Sequence, residues 1–294
     1  MLYKAGESVY NKCDKNVLER GIIMADVRLA HPAEMEAVKQ LWSKSFDDSD
    51  PYLSWYFDNV SSPENTVVCT TSGKVAASLQ LIDYDVNIGD RIYKTYYIAG
   101  VCTDKEFRHK GYGTKIMKFA EEEAARRGKD FVFLYPMVVG FYEPIGYKFW
   151  FSCYENTILP DDSVQVPCRK ATEADLDYIM QTYNAFAKKH SGYVLRSRRD
   201  VLRAMQYHEL LGGGIYLTEN GYFAFEKDKN CMRVNELIGP LDAAKGNFEC
   251  EKIIVRSKDD FGSGESKPKF LYRVCSDMDE SVFKTDGQYV NILY

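Results

Sequence analysis

Gly100-Val101-Cys102-Thr103-Asp104-Lys105-Glu106-Phe107-Arg108-His109-Lys110-Gly111-Tyr112-Gly113-Thr114 is the stretch that decides how this chain is read. A tyrosine-rich strand, Ile92 to Val101, leads into it. A helix, Lys115 to Arg127, leads out, with Ile116, Phe119, Ala120 and Ala124 on one face and Gly128 as its stop. Gly111 and Gly113 let the backbone curl with its N–H groups pointing inward, unobstructed by Cβ atoms. The helix N-terminus adds partial positive charge, and Arg108, His109 and Lys110 add more. The expected product is a nest for a pyrophosphate. It is neither a P-loop, since G-x-x-x-x-G-K-[ST] is absent, nor the dinucleotide fingerprint, since no third glycine follows Gly113.

Working outward, Phe131-Val132-Phe133-Leu134-Tyr135 is a continuous apolar run of the buried-strand kind. Phe141-Tyr142-Glu143-Pro144-Ile145-Gly146-Tyr147 follows, then an aromatic strand from Lys148 to Tyr154. Upstream, Thr66–Thr70 and Val75–Leu81 flank a Ser72-Gly73-Lys74 turn and read as a hairpin, and a second turn falls at Asn87–Asp90. Ala25–Leu29 reads as a strand. Met35, Val38, Leu41, Trp42 and Phe46 share one helix face behind Pro32. Glu122–Arg126 and Glu123–Arg127 have the favourable i,i+4 order.

Pro160-Asp161-Asp162-Ser163 to Pro167 reads as a linker. Beyond it, Cys168-Arg169-Lys170-Ala171-Thr172-Glu173-Ala174-Asp175 echoes Val27-Arg28-Leu29-Ala30-His31-Pro32-Ala33-Glu34 at an offset of 141 residues. Both are followed by a helix, the second carrying Leu176, Ile179, Met180, Tyr183 and Phe186. So long a period implies a duplicated domain rather than a solenoid. Strands are expected near Gly214–Leu217, Gly221–Phe225, Met232–Ile238, Phe270–Val274 and Tyr289–Leu293, with a helix around Phe248–Val255. Asp260–Glu265 reads as a surface loop, because no basic context precedes it and no helix pattern follows.

The strand, the R-x-x-G-x-G loop, the helix, the next strand and the Phe-Tyr-x-x-x-Gly-Tyr motif together resemble the GCN5-related N-acetyltransferase (GNAT) family over residues 24 to about 158. That resemblance implies an α/β fold with mixed, mostly antiparallel sheets flanked by helices. It implies acetyl-CoA as co-substrate and two parallel strands that splay around pantetheine. Val101, Cys102 and Thr103 would contact the acetyl-pantetheine arm, and Arg108, His109, Lys110, Gly111, Tyr112, Gly113 and Thr114 would form the pyrophosphate loop. Tyr142 would be the general acid, as a phenol can protonate a leaving thiolate without carrying charge beforehand. A backbone N–H at the end of the first splayed strand can polarise a thioester carbonyl. The family transfers directly, which leaves Cys102 no nucleophilic role.

The tandem arrangement is similar to the enhanced-intracellular-survival (Eis) type, without its sterol-carrier-like third domain. In that type a C-terminal carboxylate is the general base, a role that would fall here to Tyr294; Asp83, Asp85 and Glu106 read as edge or turn residues. The expected organisation is an extension at 1–23, an acetyltransferase domain at 24–158 and a second GNAT-like domain at 159–294 without the pyrophosphate loop. The expected function is acetyl transfer from acetyl-CoA to a primary amine of a small molecule or peptide. Trp42, Trp55, Tyr56, Phe57, Tyr84, Tyr96 and Tyr97 are candidates for the acceptor walls, since aromatic rings suit a cation. The rival readings are a non-catalytic acyl-CoA-binding regulator and an aminoacyl transferase of the tandem type.

Composition sets the outer bounds. The chain has 294 residues with 22 Tyr, 16 Phe and 3 Trp, enough to bury a large core in two domains. A net charge of −5 argues against a nucleic-acid partner and leans towards a cationic acceptor. No apolar run is long enough for a membrane helix, and the N-terminus has no signal-peptide core. The eight cysteines include no C-x-x-C pair, so neither a zinc site nor a disulfide framework is expected, and the chain reads as cytoplasmic. A homo-oligomer is compatible with all of this. Glu19-Arg20-Gly21 fits purine-rich codons just before Met24, which resemble a bacterial ribosome-binding site and mark the source as bacterial. Two expectations follow: Met24 is the natural start and 1–23 a mis-annotated or disordered extension, or 1–23 is a genuine short N-terminal extension.

Overall fold

The computed structural model describes residues 25–246, 248–262, 264–284, 288–289 and 291. The 1–23 extension, the Met24 start and Tyr294 lie outside the described residues. In chain order the elements are β1 (Asp26–Leu29), α1 (Met35–Ser45), α2 (Asp50–Asn59), β2 (Thr66–Thr71), β3 (Lys74–Ile88), β4 (Arg91–Thr103), α3 (Tyr112–Arg126), β5 (Phe131–Leu134), α4 (Val139–Tyr142) and β6 (Lys148–Ile158). After the linker come β7 (Arg169–Lys170), α5 (Leu176–Ala187), β8 (Gly192–Leu195), α6 (Arg198–Leu210), β9 (Gly214–Thr218), β10 (Gly221–Asp228), β11 (Cys231–Ile238), α7 (Asp242–Lys245), β12 (Lys252–Ser257), β13 (Gly264–Val274) and β14 (Gln288–Tyr289).

Among the described residues the strands form one sheet, ordered β1-β2-β3-β4-β5-β13-β6-β12-β11-β10-β9-β7, with β8 set against β3 and β14. It is mostly antiparallel; β4–β5, β11–β12 and β8–β14 are parallel. The centre is an exchange. β13, from the C-terminal half, pairs with β5, while β6, from the N-terminal half, pairs with β12, and β6 and β13 pair with each other.

β5 is buried on both faces, which is why its sequence is apolar without alternation. Phe131 and Phe133 meet Trp150, Phe270 and Phe283 on one face; Val132 and Leu134 meet Ile116, Met117 and Ala120 of α3 on the other. The Ser72–Gly73 turn holds both residues at positive φ, as a two-residue hairpin requires.

Five features depart from the sequence reading. α2 was not anticipated: Pro51 looks like a breaker but sits in the first turn, where its missing N–H costs nothing. α6 was likewise not anticipated, although Ser197 caps it by accepting from the Asp200 N–H. The helix expected at Phe248–Val255 is strand β12, because Ile253 and Val255 alternate into the core beside β11. Arg126 bonds Glu123 rather than Glu122, and Arg127 bonds Glu123 as well. Of the Asp260–Glu265 loop, Gly264 and Glu265 already belong to β13.

Candidate active site

β4 and β5 pair in parallel through Thr95↔Phe131, Tyr96↔Val132 and Tyr97↔Phe133, and then part. β4 continues to Thr103 along β3, and among the described residues no strand pairs with its other edge past Tyr97, which faces an open cleft. The bend starts at Gly100, which has φ +60° and lies at a bulge against β3. A Cβ at Gly100 would overlap the Trp42 ring and the Gln80 carboxamide oxygen, so only glycine fits.

The cleft encloses about 630 Å³. One end is formed by Val101, Cys102, Thr103, Arg108, His109 and Gly113. The other is walled by Trp42, Phe46, Tyr52, Tyr56, Tyr84, Tyr97 and Tyr135, with Val60 and Ile82 between the rings. Among the described residues no carboxylate lines the cleft.

The loop after β4 is held by its own hydrogen bonds. Asp104 Oδ1 accepts from the Glu106 N–H at 2.9 Å, Arg108 Nε donates to the Thr103 carbonyl at 3.3 Å, and Lys110 Nζ donates to the Glu106 carbonyl at 3.0 Å. His109 and Gly111 both have positive φ, 61° and 77°, which turns successive N–H groups toward the start of α3. Gly111 is the N-cap residue of that helix. At Gly113 an added Cβ would approach Phe141 Cζ to 3.1 Å, so the helix start and α4 pack against each other here. Backbone donors, a helix N-terminus and basic side chains thus converge on one end of the cleft, and they suit a phosphorylated ligand.

Tyr142 ends α4 and lines the cleft between those two ends. Its ring packs edge-on against Phe141 and Tyr147, at 4.9 and 5.9 Å. Burial pushes its phenol up to about 12, so it stays protonated and able to donate at neutral pH. Burial also raises the Cys102 thiol, which lies 3.4 Å from Ser78 Oγ; a thiol held protonated is a poor nucleophile.

Of the residues singled out by sequence, Val101, Cys102, Thr103, Arg108, His109, Gly113 and Tyr142 meet at the cleft. Lys110, Gly111, Tyr112 and Thr114 build the turn behind it: Lys110 folds back over Phe107, and Tyr112 packs on Phe107 at 6.2 Å. Asp83 and Asp85 are exposed on β3, Asp83 bonded by Lys129, and Glu106 is exposed beside Lys74. Among the candidate acceptor walls, Trp42, Tyr56, Tyr84 and Tyr97 line the cleft. Trp55 instead donates to Gln206 of α6 at 2.9 Å, Phe57 packs beside Val38 and Val68, and Tyr96 faces α3. Phe46, Tyr52, Tyr135 and Phe141 were missed. Tyr84 and Tyr97 lie on one face of β3 and β4, a period-2 signal available in the sequence; Tyr52 required α2 to be seen first.

Residues 26–150 match the family model described as an acetyltransferase (GNAT) domain. A GCN5-related N-acetyltransferase from Kribbella flavida superposes with a TM-score of 0.71 at 17% identity, over 86% of this chain and 71% of its own. One from Anabaena variabilis ATCC 29413 gives 0.68 at 17% identity, over 86% and 73%. Eis1 from Mycobacterium abscessus gives 0.64 at 12% identity, over 85% and 74%. At these identities the solved structures speak for the fold. A search of curated proteins finds no match. Residues 26–150 thus match an acetyltransferase (GNAT) domain model, in an α/β chain whose fold is that of GNAT acyltransferases.

Proposed function

We propose that the protein transfers acetyl from acetyl-CoA to a primary amine, with Tyr142 as general acid. The observation that carries this reading is the joint placement of the β4–β5 cleft, the Gly111 helix start and the buried Tyr142 phenol on one cavity. Bound acetyl-CoA supplies a thioester whose acetyl group is transferred and whose sulfur leaves as thiolate. The chain contributes the rest. Backbone N–H groups from His109 to Thr114 hold the pyrophosphate, and the free edge of Val101 to Thr103 aligns the pantetheine arm. The Tyr142 hydroxyl holds the proton the sulfur needs. The acceptor end is aromatic among the described residues, which suits an amine held over ring faces.

The second half is part of the proposal. The β11–β12 and β12–β6 pairings repeat the β4–β5 and β5–β13 pattern, which supports reading 159–294 as a second GNAT-like unit. The helix after β11, Asp242–Lys245, spans a single turn and carries Asp242 at its start, so it offers no pyrophosphate seat.

The test is free-thiol release from acetyl-CoA across an amine panel. Wild type should release thiol only with an amine; Tyr142→Phe should slow it and Gly111→Glu should abolish it. Tight acetyl-CoA binding with no release for any amine would favour an acyl-CoA-binding regulator instead.

A further inference from the structure

A second pair of parallel strands parts in the C-terminal half. β11 and β12 pair from Cys231↔Lys252 to Val234↔Val255 and no further. Asn235, Arg256 and Ser257, just past the last pair, line a cavity of about 30 Å³, with Lys258 at its exposed rim. Lys269 enters it from β13, at a bulge between the Pro268 and Phe270 pairings. That bulge re-aims the side chain out of the strand's alternation.

Lys269 is only 9% exposed. Among the described residues its Nζ has no hydrogen bond and no ion pair; the rings of Phe270 and Tyr135 lie 5.6 and 5.8 Å away. The carboxylates nearby are already committed. Glu155 accepts from Arg256 Nε at 3.0 Å and Lys267 Nζ at 2.8 Å. Glu236 accepts from both Arg196 terminal nitrogens at 2.8 Å and from the Tyr222 hydroxyl at 2.6 Å. A buried ammonium without a hydrogen-bonding partner is expensive to keep. Arg256, which also donates to Asn235 Oδ1 at 3.2 Å, brings a second cation to the same wall.

We propose that this cavity binds a small carboxylate, held between Lys269 Nζ and the Arg256 guanidinium. Its volume admits a group of a few heavy atoms, since one water needs about 10–15 Å³ on this measure. Asn235, Ser152 and Ser257 surround it with amide and hydroxyl donors, which suit a planar oxyanion. The site lies outside the β4–β5 cleft, and the inference does not rest on acetyl transfer.

The charge on Lys269 makes binding pH-dependent. Burial pulls its ammonium down to about 8; Cys153, Glu236 and Glu155 favour the charged form and Arg256 opposes it. A bound carboxylate favours the charged amine and raises its pKa back from that value. Affinity is then greatest below pH 8 and falls as pH rises beyond it.

The experiment is calorimetric titration of the whole protein with sodium acetate at pH 7 and pH 9.5, with chloride setting a constant ionic strength. Acetate should bind about tenfold or more tightly at pH 7 than at pH 9.5. Lys269→Met should remove the acetate heat at both. In wild type, the Lys269 side-chain NMR resonance should titrate at a midpoint at least one unit higher with saturating acetate, and this arm decides the matter where the variant fails to fold. Equal acetate affinity in Lys269→Met, or a Lys269 midpoint unmoved by acetate, overturns the proposal.

Discussion

The two parting strand pairs use the same backbone device to opposite ends. At β4–β5 the gap stays open, is walled by aromatic rings and encloses about 630 Å³. At β11–β12 only about 30 Å³ remains, and the space is taken by a buried polar cluster. Arg196 and Glu236, 4% and 0% exposed, form a two-pronged ion pair. Tyr222, Tyr289 and Asn291 donate to the same carboxylate at 2.6, 3.0 and 3.2 Å, and Tyr183 lies under the guanidinium at 3.6 Å. Arg196 holds Glu236 below the usual carboxylate range against the opposing effect of burial. Splayed strands alone thus do not make an open cleft: one gap has a glycine bend and a long helix N-terminus, and the other is closed with charge.

Breaking the closed side should produce a stability effect as large as truncating a core ring. Glu236→Ala strands Arg196 in the interior and should cost about 3–5 kcal/mol, read by denaturant unfolding. Arg196→Met with Glu236→Leu should recover most of that loss, because the burial of charge disappears with the pair. Acetyl transfer in the recovered double variant should match wild type if the two gaps work independently.

On the open side, Phe133→Ala removes a ring packed on Trp150 and Phe270 at 5.7 and 5.3 Å, and should cost about 3–5 kcal/mol. Gly100→Ala forces a Cβ into Trp42 at a left-handed backbone position. It should cost about 1–3 kcal/mol and lose acetyl-CoA affinity together with stability, measured by thermal shift with and without ligand.

Tyr142→Phe should leave the fold intact and lower kcat by about 10²-fold or more. The acid form of Tyr142 is present below its pKa of about 12, so loss of that proton cannot produce a rate fall that begins near pH 9. A fall near pH 9 that vanishes in Tyr142→Phe would mean that the phenol titrates well below the value its burial implies, whereas a kcat unchanged in Tyr142→Phe would remove Tyr142 from the acid role.

The smallest effect is expected at Gln80. It is fully buried, and among the described residues both its amide oxygen and nitrogen lack a hydrogen-bond partner. Gln80→Met should leave Tm unchanged or raise it slightly, since nothing is lost by replacing an unsatisfied amide with an apolar chain. A marked drop in acetyl-CoA affinity in that variant would mean that the amide serves the donor cleft.

The open side was largely legible because its determinants are local. Strand, loop, glycines and helix are contiguous from Ile92 to Gly128, and the Phe141–Tyr147 motif needed only one further strand. The closed side was not. Arg196 and Glu236 are 40 residues apart, and Asn291 reaches Glu236 across 55; no pattern of period 2 or 3.6 marks a buried ion pair. The exchange of β6 and β13 was equally hidden, since Lys267 meets Glu155 across 112 residues and strand order is set by long-range pairing. β12 was misread because a short apolar run suits either element until its neighbours are known.

The exchange also governs what happens when the chain is cut. Severed in the linker between Ile158 and Cys168, the N-terminal piece would keep β6 but leave the β13 edge of β5 bare, and the C-terminal piece would keep β13 but lose the β6 partner of β12. Neither fragment would be a finished sheet, and each would carry a sticky strand edge. Mixed together, each holds the strand the other needs, so the linker marks a natural position for a split protein whose halves reassemble by complementation and report their reunion by recovered activity.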